Sequence, residues 1–389
     1  MRMAHVIASI DPISGGPATV VMGMVPALAD RGHDVRLIAL DAGDRQPVVA
    51  ELLRKTPGAD RVDFRFISSV GVVRQMLTGK LKAALRPLLA DRDVVHVHGV
   101  WDALAKTGAD VSRELGKPYA LSPHGMLDPS CLRRRGLKKR IALAMGFRRI
   151  LTGAAFYHAT SNIESTSFPA IGLKAPVCVM PPGLSDHELN QPIDRGRFHQ
   201  LFPRIANRPY ILFLGRLHPI KGLDYLADAF ARLAADEPQL QWVVVGPDGG
   251  EQTPLTARLE RLGVLDRVHF VGPLWGGDKL AAMAGAMAFT LTSRHENFGM
   301  VVAEAMWAGV PVIVSDQVHL HEDVTRAGAG LVVPLDSVAI ARAIAQLRDD
   351  PALRQQMGQA GHDWVDQNLR WPRIIERLEA CYARVIPPP

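Results

Sequence analysis

The sequence predicts an α/β protein made of two doubly wound domains, each with a parallel sheet covered by helices. Short apolar runs alternate with longer helical patterns along nearly the whole 389-residue chain. This alternation is typical of parallel strands joined by right-handed crossovers. The chain is longer than a domain with a single hydrophobic core usually is, and 48% of its residues are apolar. Two domains of about 180 residues are therefore expected.

Strand-like runs fall into two series, which set the predicted domain order. Seven runs precede residue 183, at 4–10, 35–40, 64–67, 94–97, 119–122, 155–158 and 177–180, and six follow, at 210–214, 242–245, 268–271, 289–291, 310–314 and 331–333. A polar, strand-poor stretch after Pro181-Pro182-Gly183 separates them. We expect domains over 1–183 and 209–370, joined by a linker over 184–208 and followed by a helical segment over 371–389.

The positions of the cysteines and the hydropathy of the sequence indicate the cellular compartment of the chain. Cys131, Cys178 and Cys381 are scattered without paired or metal-like spacing, which predicts neither a disulfide nor a zinc site and fits a reducing compartment. The apolar run at the start is too short for a signal peptide, and no run of about 18 uncharged apolar residues follows. The sequence therefore predicts a cytoplasmic protein with no membrane span.

Two carboxylates, Glu296 and Glu304, flank a predicted strand-to-helix junction. The apolar stretch 288–292 predicts a strand, and the Ala/Met-rich stretch after Gly299 predicts a helix. Glu296 then lies in the connecting loop and Glu304 two turns into the helix, on the side where the first backbone N–H groups are free. Two acceptors for sugar hydroxyls beside an anion site suit a nucleotide-sugar pocket. Chance spacing among 39 Asp and Glu residues is the competing interpretation.

A second loop carries two cations, Arg216 and Lys221, between Gly215 and Gly222. It follows the strand-like run 210–214 and precedes a helical pattern over 223–235. The loop therefore lies at a strand's carboxyl end, where open α/β sheets bind ligands. An Arg fork and a Lys point charge can together neutralise a diphosphate. An ordinary loop with two solvated cations is the alternative.

Together these segments resemble glycosyltransferase family 4, the retaining sugar transferases with the GT-B fold. The resemblance rests on Gly215-Arg216 with Lys221-Gly222, on Glu296 to Glu304 with Phe298-Gly299, and on Ala308-Gly309-Val310-Pro311-Val312 with Ser315-Asp316. It implies two Rossmann-like domains with a deep interdomain cleft, and a last helix over 371–385 that crosses back onto the first domain. It also implies a place in bacterial polysaccharide synthesis.

Glycines near the start of the chain are expected to face the donor. The first predicted strand runs into Gly15 and Gly16, which let backbone N–H groups approach a phosphate, and Pro17 suits a first helical position. A plain tight turn is the alternative. Similar proteins place such a loop against the donor diphosphate, so the resemblance implies that role here.

Two histidines, His124 and His98, are candidate site residues of the first domain. His124 follows the predicted strand 119–122 and precedes Gly125, a position from which an imidazole can reach a sugar hydroxyl. It matches the histidine that the family aims at the transferred sugar. His98 and Trp101 follow the preceding strand and are assigned to the acceptor side. His98 could instead simply flank a buried strand.

The stretch 132–151 has the most unequal charge distribution in the chain, with cations interleaved among Leu, Ile, Met and Phe. Such an amphipathic patch, in a chain of net charge +6, predicts attachment to an anionic membrane surface. Nucleic acid would also attract it. Aromatic residues are sparse there and no nucleic-acid module accompanies it, so no nucleic-acid partner is expected. A solvated basic helix face is the alternative.

The expected reaction moves a sugar from a GDP- or UDP-sugar, with GDP-mannose favoured, to a glycan or lipid-linked saccharide. Arg216 and Lys221 would take the charge that grows on the leaving diphosphate. Glu296 would hold sugar hydroxyls, and Glu304 the ribose hydroxyls. Backbone donors would assist at Gly15, Gly16, Phe298, Gly299 and Met300. No Asp-x-Asp pair occupies the strand-to-loop context that usually holds a divalent ion, so neither a metal nor another cofactor is expected.

Three other functions compete with this one. A nucleotide-sugar epimerase shares the two-domain shape and would convert the donor alone. A non-catalytic nucleotide- or glycan-binding scaffold would release no nucleotide. A phosphorylase-like enzyme needs a pyridoxal-binding lysine context, which the sequence lacks. An assay for nucleotide release with and without acceptors separates these functions from sugar transfer.

Overall fold

The structure, a computed structural model, describes residues 1–133, 136–184, 193–205, 208–234 and 236–387. The chain forms two compact units. The first unit comprises Met1–Ser185 with Trp371–Pro389, and the second unit comprises Asp186–Arg370. Each unit is built around one parallel sheet. Among the described residues, no helix is both long enough and apolar enough to cross a membrane.

Seven strands form the sheet of the first unit. They are β1 (Arg2–Ile7), β2 (Asp34–Leu40), β3 (Asp63–Ile67), β4 (Val94–His98), β5 (Tyr119–Ser122), β6 (Phe156–Ala159) and β7 (Val177–Val179). Their order is β3-β2-β1-β4-β5-β6-β7, and every neighbouring pair is parallel. All seven predicted strands are confirmed. Strand β1 ends at Ile7 rather than at residue 10, because the chain leaves the sheet before the 3₁₀ turn Pro12–Ser14.

Helices follow the strands of the first unit and cover both faces of its sheet. They are α1 (Gly16–Asp30), α2 (Gln46–Lys55), α3 (Val72–Leu77), α4 (Lys80–Ala90), α5 (Ala103–Glu114), α6 (Pro129–Arg133), α7 (Gly136–Ala142), α8 (Arg148–Thr152) and α9 (Asn162–Ala170), with a π-helical turn over Leu143–Phe147. Side-chain caps fix the first residues of α5 and α9. Asp102 accepts a hydrogen bond from the amide of Ala105 at 2.8 Å, and Ser161 accepts one from the amide of Glu164 at 3.0 Å.

Six strands form the sheet of the second unit. They are β8 (Tyr210–Leu214), β9 (Gln241–Val245), β10 (Val268–Gly272), β11 (Ala288–Leu291), β12 (Val312–Ser315) and β13 (Gly330–Val333). The order is β10-β9-β8-β11-β12-β13, again with parallel pairs only. All six predicted strands are confirmed. The order reverses between β8 and β11, and such a reversal opens a crevice at the carboxyl ends of the strands.

The helices of the second unit pack around this sheet. They are α10 (Arg195–Leu201), α11 (Leu223–Ala234), α12 (Gln252–Arg261), α13 (Gly276–Ala284), α14 (Met300–Trp307), α15 (His321–Ala327), α16 (Ser337–Asp349) and α17 (Pro351–Asn368). Helix α10 lies within the stretch predicted as a linker. Its Phe198 is buried, with its ring 5.4 Å from that of Tyr210. This part of the linker therefore folds onto the second unit, while residues 185–192 and 206–207 lie outside the described residues.

The last helix, α18 (Trp371–Ala383), packs in the first unit. It buries Ile375 and Leu378 in an apolar cluster that also contains Met24 and Val25 of α1. The Trp371 ring lies so close to two glycines that a Cβ at Gly23 or Gly183 would stand 2.5 Å from it. Two positions without side chains therefore make room for the indole at the start of the helix.

One sequence prediction about cysteine is wrong. Cys178 in β7 and Cys381 in α18 form a disulfide, although they are 203 residues apart. Sequence spacing did not indicate the pair because the chain builds the whole second unit between the two cysteines and only then returns to the first. Cys131 takes no part in this disulfide.

Candidate active site

The loop after β8 places Arg216 at the carboxyl edge of the second sheet. Its backbone is held against the loop after β9: the amide of Leu217 donates to Pro247 O at 2.9 Å, and that of Gly249 donates to Leu217 O at 2.8 Å. A Cβ at Gly249 would lie 2.9 Å from Cγ of Arg216. The guanidinium is exposed. The stem of Arg216 is thus packed against a glycine while its charged end stays available to an anion.

Lys221 and Glu296 are brought together by two loops in close contact. Gly222 has a φ of 63°, and a Cβ there would stand 2.1 Å from the carbonyl oxygen of Thr292, so only glycine lets the loop after β8 approach the loop after β11 this closely. Across this junction Nζ of Lys221 pairs with Oε2 of Glu296, and the two side chains are 16% and 23% exposed. The predicted phosphate cation and the predicted sugar acceptor are therefore ion-paired with each other.

Arg294 clamps the same two loops, a role that the sequence did not indicate. Its backbone amide donates to Ile220 O at 2.7 Å, and its guanidinium donates to Pro219 O at 2.7 Å. Two further bonds reach the carboxylate of Asp224, at 2.9 and 2.6 Å. The hydrogen bonds to Asp224 raise the pKa of Arg294 above its ordinary value. Such a two-pronged contact fixes orientation as well as distance.

Glu304 lies on α14, which begins at Met300 directly after Gly299. Gly299 has a φ of 89°, Phe298 beside it is buried, and the backbone N–H groups of the first turn of α14 lie at this end of the helix. Oε2 of Glu304 is 3.1 Å from Nζ of Lys279 on α13, and these side chains are 12% and 14% exposed. Lys279 was missed because nothing in the sequence shows that α13 and α14 lie side by side.

Gly15 lies between the 3₁₀ turn after β1 and helix α1, and Gly16 is the first residue of that helix. Gly15 has a φ of 85°, a backbone conformation that favours glycine. Space is not the constraint at either position, because a Cβ built on Gly15 or Gly16 meets no atom within 4 Å. The predicted phosphate-facing loop therefore presents open backbone at the carboxyl end of β1.

His124 is the only non-glycine residue with a positive φ among the described residues, at 52°, and Gly125 follows with a φ of 76°. A buried carboxylate holds this turn. Oε1 of Glu164 accepts the Gly125 amide at 2.5 Å, while its Oε2 accepts the amide and hydroxyl of Thr160 at 2.8 and 2.7 Å. Burial raises the pKa of Glu164 above its ordinary value. Strained backbone of this kind is concentrated at functional sites, and Glu164 was missed because the contact spans 39 residues.

His98 is fully buried and joins His124 to His5. Nδ1 of His98 is 3.1 Å from Nε2 of His124, and Nε2 of His98 is 3.0 Å from Nδ1 of His5. Burial lowers the pKa of His124 and of His5 to about 3, and that of His98 well below its ordinary value. Because His98 is enclosed, its contact with an acceptor would have to pass through His124.

Trp101 is also engaged within the first unit. Its indole N–H donates to Met126 O at 3.2 Å, its ring stacks near Phe147, and Nζ of Lys139 lies 5.4 Å from its ring centroid. The ring is partly exposed. Trp101 therefore sits where the loop after β4 meets the basic stretch that was predicted as a membrane patch.

His96 completes a histidine cluster in the first unit. Single nitrogens of His5, His96 and His98 lie within 4.8 Å of one another, which raises the question of a metal site. However, His96 pairs through Nδ1 with the Tyr382 hydroxyl at 2.6 Å and through Nε2 with the Ser122 hydroxyl at 2.7 Å. Its ring also stacks on His98, with centroids 4.3 Å apart. This arrangement fits a hydrogen-bond network better than a metal ion bound by all three histidines, because both ring nitrogens of His96 already have hydrogen-bond partners.

The described part of the basic stretch comprises the end of α6, helix α7, the π-helical turn and helix α8. Leu137 and Ile141 on α7 are 72% and 51% exposed, and the cations Lys138 and Arg140 beside them are exposed as well. Arg134 and Arg135 lie outside the described residues. The described part thus presents apolar and cationic side chains to solvent side by side.

The sequence matches two protein-family models that together span most of the chain. Residues 15–183 match the glycosyl transferase 4-like domain, and residues 194–364 match the glycosyl transferases group 1. A D-inositol 3-phosphate glycosyltransferase of Kribbella flavida is 31% identical over 95% of this chain and 90% of its own length. A GDP-mannose-dependent alpha-mannosyltransferase of Mycolicibacterium smegmatis is 28% identical over 99% of this chain and 98% of its own length.

The fold has a close counterpart among solved structures. HepE of Anabaena, in complex with UDP and glucose, superposes with a TM-score of 0.80 over 99% of this chain and 100% of its own, at 22% identity. The two doubly wound sheets are those of the GT-B fold. The chain belongs to the group 1 glycosyltransferases of family 4 type.

Proposed function

We propose that this glycosyltransferase moves a hexose from a GDP- or UDP-sugar, with GDP-mannose favoured, to a glycan or lipid-linked saccharide in bacterial exopolysaccharide or lipopolysaccharide assembly. The observation that carries the proposal is the grouping of Arg216, Lys221 and Glu296 at the carboxyl ends of β8 and β11, where the strand order reverses. The relatives support the choice of donor, since one is a GDP-mannose-dependent mannosyltransferase and a structural neighbour binds UDP and glucose.

The ion pair between Lys221 and Glu296 suggests how donor binding prepares the site. A diphosphate carries more negative charge than one carboxylate, so it would draw Lys221 away from Glu296. Glu296 would then be released to accept hydrogen bonds from sugar hydroxyls. One exchange of partners would thus place a cation on the leaving group and an acceptor on the sugar.

The proposed chemistry relies on charge stabilisation. As the glycosidic C–O bond breaks, negative charge grows on the diphosphate, and Arg216 and Lys221 would stabilise it more strongly than they stabilise the intact donor. Backbone N–H groups at Gly15–Gly16 and at the start of α14 would add to this. Glu304, held by Lys279, would accept from the ribose hydroxyls, and His124 would contact the transferred sugar.

We further propose retention of configuration by front-face attack and independence of metal ions. Arg216 and Lys221 supply the positive charge that a divalent ion would otherwise bring to the diphosphate. A diphosphate oxygen would take the proton of the acceptor hydroxyl. Trapping of a covalent glycosyl-enzyme would contradict the front-face route, and loss of turnover in EDTA with recovery on adding Mg²⁺ or Mn²⁺ would contradict metal independence.

A nucleotide-release assay tests the proposed function. Each of GDP-mannose, GDP-glucose and UDP-glucose is incubated with the enzyme, with and without total bacterial lipid-linked saccharides, and released GDP or UDP is measured. Acceptor-dependent release from one donor supports transfer. Conversion of the donor with no acceptor indicates an epimerase, and binding without release from any donor indicates a scaffold. Lys221→Met serves as the negative control, with turnover expected to fall at least about 100-fold.

The basic stretch supports a proposed peripheral location at the cytoplasmic face of the plasma membrane. Exposed Leu137 and Ile141 would enter the headgroup region while neighbouring cations meet anionic lipids. Flotation with vesicles of phosphatidylglycerol and phosphatidylcholine tests this. Replacing Arg133, Lys138 and Arg140 by Gln should reduce binding, whereas replacing Arg232, Arg261 and Arg342 of the second unit, an equal charge change, should not. Equal binding by both variants would contradict the proposal.

The disulfide bears on this location, because disulfides are rare in a reducing cytoplasm. A cytoplasmic enzyme would therefore contain Cys178 and Cys381 largely as thiols while it works in the cell. Alkylation of cells with a maleimide before lysis, followed by mass spectrometry, measures this. Modified thiols at both positions support the cytoplasmic location, and an intact bond in freshly trapped cells contradicts it.

A further inference from the structure

Three imidazoles form a continuous hydrogen-bonded chain in the first unit, from the partly exposed His124 through His98 to the fully buried His5. The two contacts are 3.1 Å from Nε2 of His124 to Nδ1 of His98 and 3.0 Å from Nε2 of His98 to Nδ1 of His5. The rings of neighbouring members are nearly parallel, at 23° and 16°. His98 thus uses both of its ring nitrogens within the chain.

A chain of neutral imidazoles has only two proton arrangements. Each neutral ring has one N–H donor and one acceptor nitrogen, and each of the two contacts needs one of each. Fixing the proton on any ring therefore fixes it on all three. Either every ring donates outward, toward His124, or every ring donates inward, toward His5. No carboxylate hydrogen-bonds to any of the three rings among the residues that the structure describes, and burial favours their neutral forms.

The inner end of the chain decides between the two arrangements. Nε2 of His5 is buried and has no hydrogen-bond partner among the described residues. Inward donation would leave an N–H group there without an acceptor, whereas outward donation leaves only a lone pair. In proteins, buried N–H groups without an acceptor are rarer than buried acceptors without a donor. The outward arrangement is therefore favoured, with Nδ1–H of His5 donating to His98 and Nδ1–H of His98 donating to His124.

We infer that His5 and His98 are positioning residues that hold His124 as the neutral Nδ1–H tautomer. The inference rests on the proposed sugar contact of His124. In this tautomer Nε2 of His124 is occupied by His98, and Nδ1 offers a hydrogen-bond donor. His124 would therefore recognise an oxygen that accepts, such as a sugar hydroxyl or ring oxygen. It would not serve as the base that takes a proton from the acceptor hydroxyl.

Nitrogen-15 NMR of the unmodified protein tests the tautomer directly. Protein labelled with ¹⁵N-histidine is studied at neutral pH, and the His124 signals are assigned by their loss in His124→Gln. Long-range ¹H–¹⁵N spectra distinguish a protonated ring nitrogen from one with a free lone pair. A protonated Nδ1 with an unprotonated Nε2 on His124 is expected. The opposite tautomer, an even mixture or a charged ring would overturn the inference.

Replacing the middle ring tests whether the chain matters for function. In His98→Leu the donor to Nε2 of His124 is lost, so His124 should become a mixture of tautomers. The kcat/KM for the donor sugar should fall about tenfold, the loss expected for one hydrogen bond, while the affinity for free GDP or UDP should stay unchanged. A normal kcat/KM with a mixed tautomer would overturn the functional part of the inference.

His158→Leu provides a matched control. His158 is an equally buried histidine beside His96, with ring centroids 5.4 Å apart, but it pairs with Met180 O at 3.0 Å and does not join the chain. It should lose stability comparably and retain kcat/KM. Loss of kcat/KM in both variants would assign the effect to unfolding and overturn the positioning role. The NMR result needs no substrate, so a wrong tautomer and a wrong function would be recognised separately.

Discussion

Gly249 sets the position of the Arg216 side chain. A methyl group at residue 249 would stand 2.8 Å from the carbonyl oxygen of Leu217 and 2.9 Å from Cγ of Arg216. Gly249→Ala should therefore displace Arg216 from its place at the edge of the sheet and lower kcat/KM at least about tenfold. The contact with the backbone oxygen of Leu217 should also lower the melting temperature. Steady-state nucleotide release and a thermal melt measure the two effects.

A glycine elsewhere provides the control for this substitution. A Cβ built on Gly136 meets no atom within 4 Å, so Gly136→Ala should leave soluble turnover unchanged. If Gly249→Ala has full activity, the packing of Arg216 against this glycine is not needed for catalysis.

Lys279 holds Glu304 in a largely buried ion pair, at 3.1 Å. Because Glu304 is assigned to the ribose hydroxyls, Lys279→Met should raise the donor KM about three- to tenfold with little change in kcat. Lys174, an exposed lysine of the first unit, provides the matched control as Lys174→Met. A fall in kcat with an unchanged KM would instead assign Lys279 to the reaction step.

Residue types at fixed loop positions could be predicted from the sequence, whereas partners on distant segments could not. Arg216, Lys221 and Glu296 were found because the pattern of strand, glycine-bounded loop and helix places them at strand ends. Lys279 and Glu164 were missed because each acts through a contact between segments that only the folded chain brings together. No short motif encodes such a contact.

At the scale of elements, the alternation of strands and helices was sufficient to predict all thirteen strands, since each buried parallel strand is a short apolar run. The folded part of the predicted linker and the disulfide were not predictable in this way. Phe198 of α10 is one apolar residue in a polar segment and gives no clear helical pattern. The pairing of the two cysteines depends on where the last helix packs.

The packing of α18 on α1 depends on the absence of a side chain at Gly23. A Cβ there would stand 2.5 Å from Nε1 of Trp371, which is buried. Gly23→Ala should therefore destabilise the first unit by about 1–3 kcal/mol through overpacking, although alanine favours a helix. The urea midpoint measures the change.

A double variant separates the clash from other effects of this substitution. Trp371→Phe removes the part of the ring nearest to Gly23, so combining it with Gly23→Ala should cost less than the sum of the two single changes. Additive losses would mean that the alanine does not act through Trp371.

At the scale of the whole molecule, the buried histidines predict sensitivity to acid. Burial lowers the pKa from 6.5 to about 3 for His5 and to about 4 for His158, and it holds the pKa of His96 and of His98 well below the ordinary value. The unfolded chain therefore binds more protons than the folded one below about pH 6.5. The contribution of these histidines to stability is fully present above that pH and is lost as the pH falls through 4 toward 3.

Each histidine that stays neutral should contribute about 1.4 kcal/mol per pH unit to this loss. The urea midpoint should be clearly lower at pH 5 than at pH 7.5, and the difference should shrink by about one histidine's share in His158→Leu. Equal midpoints at the two pH values would contradict neutral burial of the cluster.

The covalent link between β7 and α18 encloses the entire second unit in a ring of chain. A protease that nicks the polypeptide anywhere within this ring would leave the fragments tethered. On a gel without thiols the nicked, oxidised protein should run as one band, and addition of dithiothreitol should split it into two pieces.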